Sequence, residues 1–241
     1  MERLQRVVAR ASVASRRHAE ELIRSGQVTV NGKVQIDPTF IVEIPRDHIK
    51  IGGKSIKRPV PLRYFLLYKP RGVVSTVRDP QGRPTVIELI HGKKLGLFPV
   101  GRLDIDAEGL ILLTSDGGLA HRLMHPRFNV PRTYHVKVRG VPTEKTQKLL
   151  KKGAYLGKGE WASSPLHITM LRPPRGPNSW WKVVLVEGKN REIKRMFKAI
   201  GHPVLKLRRV GFAFLRLKGL RPGKYRPLEP DEVQRLTVGR S

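Results

Sequence analysis

The run Lys57-Arg58-Pro59-Val60-Pro61-Leu62-Arg63 sets the first constraint on what this chain can fold into. Two prolines in a basic stretch fix φ and remove two backbone donors, so no helix or interior strand passes through it. It divides the 241 residues into a short leading unit and a long trailing one. The expected boundaries are 1–58 for the first unit, 59–63 for the linker and 64–238 for the second.

The leading unit is patterned throughout. Leu4, Val7, Val8 and Ala11 recur at helical spacing. Ser15 is placed to cap a second helix with Ala19, Leu22 and Ile23 on its apolar face, and Gly26 to end it. Val28-Thr29-Val30 alternates as a strand, Asn31-Gly32 supplies a tight hairpin turn, and Val34 and Ile36 continue the return strand. A short strand from His48 to Ile51 precedes Gly52-Gly53. Two helices and a small sheet in about fifty residues make a module that is small for independent stability.

In the trailing unit Tyr64 to Tyr68 reads as a buried strand stopped by Lys69-Pro70-Arg71-Gly72. Asp79 to Gly82 is a turn, Leu110 to Leu113 a second apolar strand, and Asp116 a cap for a short helix holding Leu119 and Leu123. Tyr134 to Val138 and Trp180 to Val186 are further strands, Arg172 to Pro177 is a loop, and Glu192 to Ile200 is a helix closed by Gly201. Strands mixed with short helices, without regular β-α-β spacing, predict an α+β fold with a mixed, mainly antiparallel sheet.

Charge narrows the partners. Forty-eight basic residues against 19 acidic ones leave +29. Residues 1–60 hold 12 Lys/Arg against 6 Asp/Glu, and the remainder 36 against 13, so the excess lies on folded, patterned sequence and not in one tail. Self-repulsion on this level points to a polyanionic partner, and nucleic acid fits best. A membrane surface is disfavoured, because no apolar run approaches ~18 residues. Cysteine is absent, which excludes disulfides and thiolate metal sites. Met1-Glu2-Arg3-Leu4 opens without the apolar stretch of a secretory signal, and a cytoplasmic protein is expected. Arg16 and Arg17 fall in the first turn of the second helix, where they oppose its dipole. They read either as phosphate contacts or as two solvated side chains.

The densest constellation is Gly101-Arg102-Leu103-Asp104-Ile105-Asp106-Ala107-Glu108-Gly109. If extended, it places three carboxylates on one face. Residue types alone leave three readings open: a metal site for phosphodiester chemistry, one catalytic carboxylate among basic groups, or a charged loop. The sequence lacks a phosphate-cradling glycine loop, since Gly52-Gly53-Lys54 has the wrong spacing. His121 and His125 share helical spacing without a metal-protease pattern, Ser115 lacks a nucleophile elbow, and Trp180-Trp181 suits a core strand better than base stacking.

Residues 3–36 resemble the αL RNA-binding module first described in ribosomal protein four of the small subunit. The carriers are Arg3-Leu4-Gln5-Arg6-Val7-Val8-Ala9, Ser15-Arg16-Arg17-His18-Ala19-Glu20 and Val28-Thr29-Val30-Asn31-Gly32. Residues 62–235 resemble the catalytic domain of the RsuA/RluB family of pseudouridine synthases. There the carriers are Lys69-Pro70-Arg71-Gly72, Gly101-Arg102-Leu103-Asp104, Glu108-Gly109-Leu110, Thr114-Ser115-Asp116-Gly117, Tyr134-His135-Val136, and Glu187 through Met196. The resemblance implies Asp104 as the essential catalytic residue, Arg102 holding the place of the flipped-out nucleotide, and Tyr134 packing against the target base. It implies Lys194 as the cation paired with Asp104, where the family more often has Arg, with Arg195 as a fallback. Leu207 would supply an apolar contact near the base. Asp106 and Glu108 become supporting groups, not metal ligands, and Ala107 replaces a common Thr. Arg16, Arg17 and Lys33 would contact RNA phosphates. No metal or other cofactor is implied, because the isomerisation gains and loses no atoms. The stretches around His121 to Pro126 and Tyr134 to Gly140 look closer to the large-subunit branch, which implies 23S ribosomal RNA, free or in assembly intermediates, as partner; 16S ribosomal RNA is the alternative. A monomer is expected. A non-catalytic ribosome-assembly protein and a metal-dependent nuclease remain the rival readings.

Overall fold

In the computed structural model, residues 1–11, 16–44, 46–56, 61–91, 96–157, 160–162, 165–174 and 176–238 are described. The expected cap at Ser15 and residues 59–60 of the expected linker lie outside them.

The leading elements are β1 (Glu2–Arg3), α1 (Leu4–Ala11), α2 (Arg16–Arg24), β2 (Val28–Val30), β3 (Lys33–Val34), β4 (Ile41–Val42), β5 (Ile49–Ile51) and β6 (Lys54–Ser55). β3, β2, β5 and β6 form a four-stranded antiparallel sheet, and β1 pairs with β4. Leu4, Val7, Val8, Ala19, Ile23 and Val28 are buried together, so the helical spacing of the sequence marks the face that packs. Asn31 and Gly32, at φ 51° and 82°, make the hairpin turn that their side chains permit. The return strand is shorter than expected. It stops at Val34, and Ile36 is exposed outside it.

The trailing elements are β7 (Tyr64–Lys69), β8 (Phe98–Pro99), β9 (Glu108–Thr114), α3 (Gly117–Met124), β10 (Arg132–Arg139), α4 (Glu144–Lys152), β11 (Tyr155–Gly157), β12 (Glu160–Trp161), β13 (His167–Met170), β14 (Asn178–Leu185), α5 (Glu192–Ala199), β15 (Val204–Phe212), β16 (Leu215–Arg216), β17 (Tyr225–Pro227) and α6 (Pro230–Val238). A nine-stranded sheet runs in the order β13-β14-β10-β15-β9-β7-β17, with β16 on β15 and β8 on β9. Every pairing in it is antiparallel except β15 with β9. The fold is therefore α+β with a mixed, mainly antiparallel sheet.

The strands bury as alternation dictates. In β14, Ser179, Trp181, Val183 and Leu185 point inward while their neighbours are half-buried. Trp181 is core, and its indole N–H donates to Ser179 Oγ at 2.9 Å. β9 is different: Gly109 to Thr114 are buried without alternation, because β9 sits inside the sheet with both faces covered. α3 begins at Asp116, whose carboxylate accepts from the Gly118 and Leu119 amides at 2.9 and 3.0 Å. Its Oδ2 also accepts from the Tyr64 hydroxyl at 3.0 Å, which ties the helix start to β7.

The one parallel pairing has a steric condition. Gly109, at φ 118°, lies against β15 so closely that a Cβ there would stand 2.2 Å from the Arg209 carbonyl oxygen. Only glycine permits this approach. It fixes the segment entering β9, residues 101–108, against the middle of β15.

Candidate active site

The segment expected to carry three carboxylates on one extended face does not run extended. It turns at Ile105-Asp106, with the Ala107 amide donating to the Asp104 carbonyl at 3.1 Å, and becomes a strand only at Glu108. Asp104 and Asp106 are thereby brought to one cation. Lys194 Nζ, on the first turns of α5, donates to Asp104 Oδ2 at 2.7 Å and to Asp106 Oδ1 at 2.5 Å. Glu108 goes elsewhere and accepts from Arg208 Nε at 2.7 Å.

Burial of the three partners is graded. The Lys194 side chain is 14% exposed, that of Asp104 33% and that of Asp106 50%. Lys194 is thus the anchor, and Asp104 the carboxylate that is both held and open to a substrate. Burial acts to raise the pKa of Asp106, but the Lys194 hydrogen bond and charge, with Arg191 behind them, outweigh it and hold the group below the usual carboxylate value.

The loop after β7 clamps the turn from below. Arg71 Nε donates to the Asp106 carbonyl at 3.0 Å, and the Gly72 amide to the Ile105 carbonyl at 2.7 Å. Ser75 Oγ donates to the Leu103 carbonyl at 2.9 Å, and the Leu103 amide to Ser75 Oγ at 3.1 Å. Lys69 completes the clamp. It is fully buried, and its ammonium donates to the Ala107 carbonyl at 2.8 Å and to the Pro70 carbonyl at 3.0 Å. Desolvation pushes its pKa down to about 8 against the opposing pull of Asp106 and Asp104.

Lys69 belongs to a transverse row of the sheet. It pairs in register with Gly109, Gly109 with Arg209, and Arg209 with Tyr134. The side chains of Lys69 and Arg209 flank the bare glycine. Arg209 is 1% exposed and donates from Nε to the Leu110 carbonyl at 2.7 Å, while one terminal nitrogen has no hydrogen-bond partner. Sequence reasoning singled out neither residue for the site. The available signal was a lysine closing an otherwise apolar strand directly before proline.

The other expected site residues fall into two groups. Tyr134 and Leu207, both 9% exposed, lie on adjacent strands and share one apolar cluster with Leu103 and with Ile193 of α5. Arg102 is exposed, next to Leu103. Arg17 and Lys33 are exposed on the leading unit; of Arg16 only the backbone, opening α2, is described. Lys194, the first choice over Arg195, is itself at the carboxylates. Among the described residues no group of three or more His, Asp or Glu side chains is placed to hold a metal ion, and His121 and His125 stack with ring centroids 5.4 Å apart. Nor is any described helix long and apolar enough to cross a membrane.

A partly exposed carboxylate held by a largely buried cation, on a basic chain, suits a carboxylate-centred site open to a polyanion. Residues 63–199 match the RNA pseudouridylate synthase family, and residues 2–49 match the S4 domain. The chain belongs to the RNA pseudouridylate synthase family, with an S4 domain ahead of the catalytic domain, and is an isomerase acting on RNA. It is 44% identical over 98% of its length, and 96% of the relative's, to ribosomal large subunit pseudouridine synthase B of Bacillus subtilis. It is 39% identical to an uncharacterised RNA pseudouridine synthase of Aquifex aeolicus, over 97% of this chain and 93% of that one. A crystal structure of a pseudouridylate synthase superposes with a TM-score of 0.68 at 28% identity, over 98% of this chain and all of the other.

Proposed function

We propose that the chain converts a specific uridine of large-subunit ribosomal RNA to pseudouridine, with Asp104 as its catalytic carboxylate. The observation that carries the reading is the Asp104–Lys194 ion pair, whose chain neighbours Leu103 and Ile193 share one buried cluster with Tyr134 and Leu207. The choice of large-subunit RNA is supported by the name of the Bacillus subtilis relative, a large-subunit pseudouridine synthase matched nearly end to end.

The reaction breaks the uridine N1–C1′ bond, turns the base and joins C5 to C1′; the C5 proton leaves and the freed N1 takes up a proton, so that the atoms balance. The base cannot turn while stacked, so it is flipped out at a cost of a few kcal/mol. Tyr134 and Leu207 then pack against it, and stacking on Tyr134 offsets on the order of 1–3 kcal/mol. Arg102 takes the place the base has left. Asp104 must be ionised for each step open to it: attack on the sugar, attack on the base, or removal of the C2′ proton. Lys194, at 2.7 Å, aims the carboxylate. No step calls for a cofactor.

Residues 1–58 act as an RNA anchor joined through residues 59–63 to the catalytic unit, 64–238. Arg16, Arg17 and Lys33 contact phosphates, while RNA shape and unpaired bases supply specificity. The enzyme works as a monomer. Asp104→Asn is expected to abolish turnover and to leave RNA affinity within a few fold, read by single-turnover kinetics beside filter binding. Substantial residual turnover in that variant contradicts the assignment.

A further inference from the structure

One exposed aromatic pair sits on the hairpin that flanks the site. Tyr155 on β11 and Trp161 on β12 are register partners, with ring centroids 5.3 Å apart and planes at 59°. Tyr155 is 49% exposed and Trp161 60%, whereas Trp181 in the core is 1% exposed. Indole is the side chain with most to gain from burial, so an open one forfeits a large stabilisation. Single exposed apolar residues are ordinary and need no explanation. This pair differs in being matched and in being anchored to the segment that leads into α5.

The anchoring is specific. Ala154 and Ala162, at the foot of the hairpin, are buried in the same cluster as Leu103, Tyr134 and Leu207. The Ala162 amide donates to the Ala154 carbonyl at 2.9 Å. Lys189 Nζ donates to the Trp161 carbonyl at 2.6 Å, and five residues later Lys194 holds Asp104. One short stretch of chain therefore connects the aromatic pair to the carboxylate. Cations line the approaches. α4 ends in Lys151-Lys152 shortly before Tyr155, and Arg191 is exposed at the start of α5, where its charge reaches Asp106. Two aromatic rings in a cationic setting are a poor match for an apolar protein surface and a good one for a stacked base between phosphates.

We propose that Tyr155 and Trp161 form a stacking platform for an unpaired base of the substrate RNA next to the target uridine, with Lys189 and Arg191 facing the adjoining phosphates. The proposal rests on the RNA-modifying reading above and adds a subsite to it. Flipping the target breaks the stack of its neighbours, and the platform gives one of them a new partner. Since every base has a π-face, the platform holds the strand without reading its sequence. It acts on binding and positioning, not on the chemical step.

The test uses the full-length chain and two probes: a labelled single-stranded oligouridylate for affinity, and ribosomal RNA tritiated at uridine C5 for turnover. Trp161→Ala is expected to weaken oligouridylate binding roughly tenfold and to raise KM with kcat near the parent value. Trp161→Phe is expected to keep most of the affinity. The tryptophan fluorescence of the parent is expected to be quenched by oligouridylate, and that quench to vanish in Trp161→Ala. Because Trp161 is exposed, an unchanged melting temperature will exclude a folding defect. Unchanged affinity and KM in Trp161→Ala, or a quench that survives the substitution, overturns the proposal. Absence of tritium release from the parent protein overturns the enzymatic reading instead, and the oligouridylate arm still decides the platform.

Discussion

Lys194 holds two carboxylates with one ammonium, and its removal leaves Asp104 and Asp106 facing each other across a site that is partly desolvated. Lys194→Met is expected to cut the single-turnover rate by more than tenfold. It is also expected to raise the proton affinity of Asp106, followed by NMR titration of its carboxyl, because the Lys194 cation helps hold that group below the usual carboxylate value. Lys194→Arg keeps the charge and is expected to retain most of the rate. An unmoved Asp106 titration in Lys194→Met would sink the role given to the cation. Lys69 makes a second prediction. Its pKa is depressed in the folded state, from 10.5 to about 8, so between these values the unfolded chain binds more protons than the native one. Its contribution to stability therefore rises with pH from about 8 to about 10.5 and is flat below. The stability difference between the parent and Lys69→Met, followed by denaturant melts across that range, is expected to shift in favour of the parent as pH increases. The pairing of Asp104 with Lys194 was expected from the resemblance of their motifs to a known family, and the two side chains meet at 2.7 Å. Lys69 and Arg209 were not singled out for the site, because their placement depends on a register between three strands that are far apart in the chain.

The β9–β15 pairing is the joint on which the site turns, and Gly109 is its condition. Gly109→Ala would force a Cβ into the Arg209 backbone and demand an unfavourable φ, so the pair must separate. This variant is expected to lose more than about 3 kcal/mol of stability, or to fail to fold. Near-normal denaturant stability would contradict the close approach. Asp116→Ala is the matched control. It removes the cap of α3 and the partner of Tyr64, and is expected to cost about 1–2 kcal/mol with turnover preserved. Local rules were enough to read that cap, the Asn31-Gly32 hairpin and the helix at Glu192. They left residues 104–107 open between an extended face and a charged loop. The turn there is imposed by Arg71, Gly72 and Ser75 reaching over from the loop after β7, a tertiary constraint that no local pattern carries.

The charge of +29 is divided between an S4 domain and a catalytic domain, so each can grip the same polyanion. Deleting residues 1–58 is expected to weaken binding to ribosomal RNA and to flatten its dependence on salt, because fewer counterions are released. Equal affinity and an equal salt slope for the truncated chain would refute the anchoring role of the leading unit. Uridine isomerisation in ribosomal RNA is attributed to Asp104. The most direct test of this is to incubate the full chain, in excess EDTA, with 23S and 16S ribosomal RNA tritiated at uridine C5, beside Asp104→Asn. The expected result is tritium release from 23S RNA by the parent protein and none by the variant. No release from either RNA, naked or in assembly intermediates, or equal release by Asp104→Asn, would contradict it.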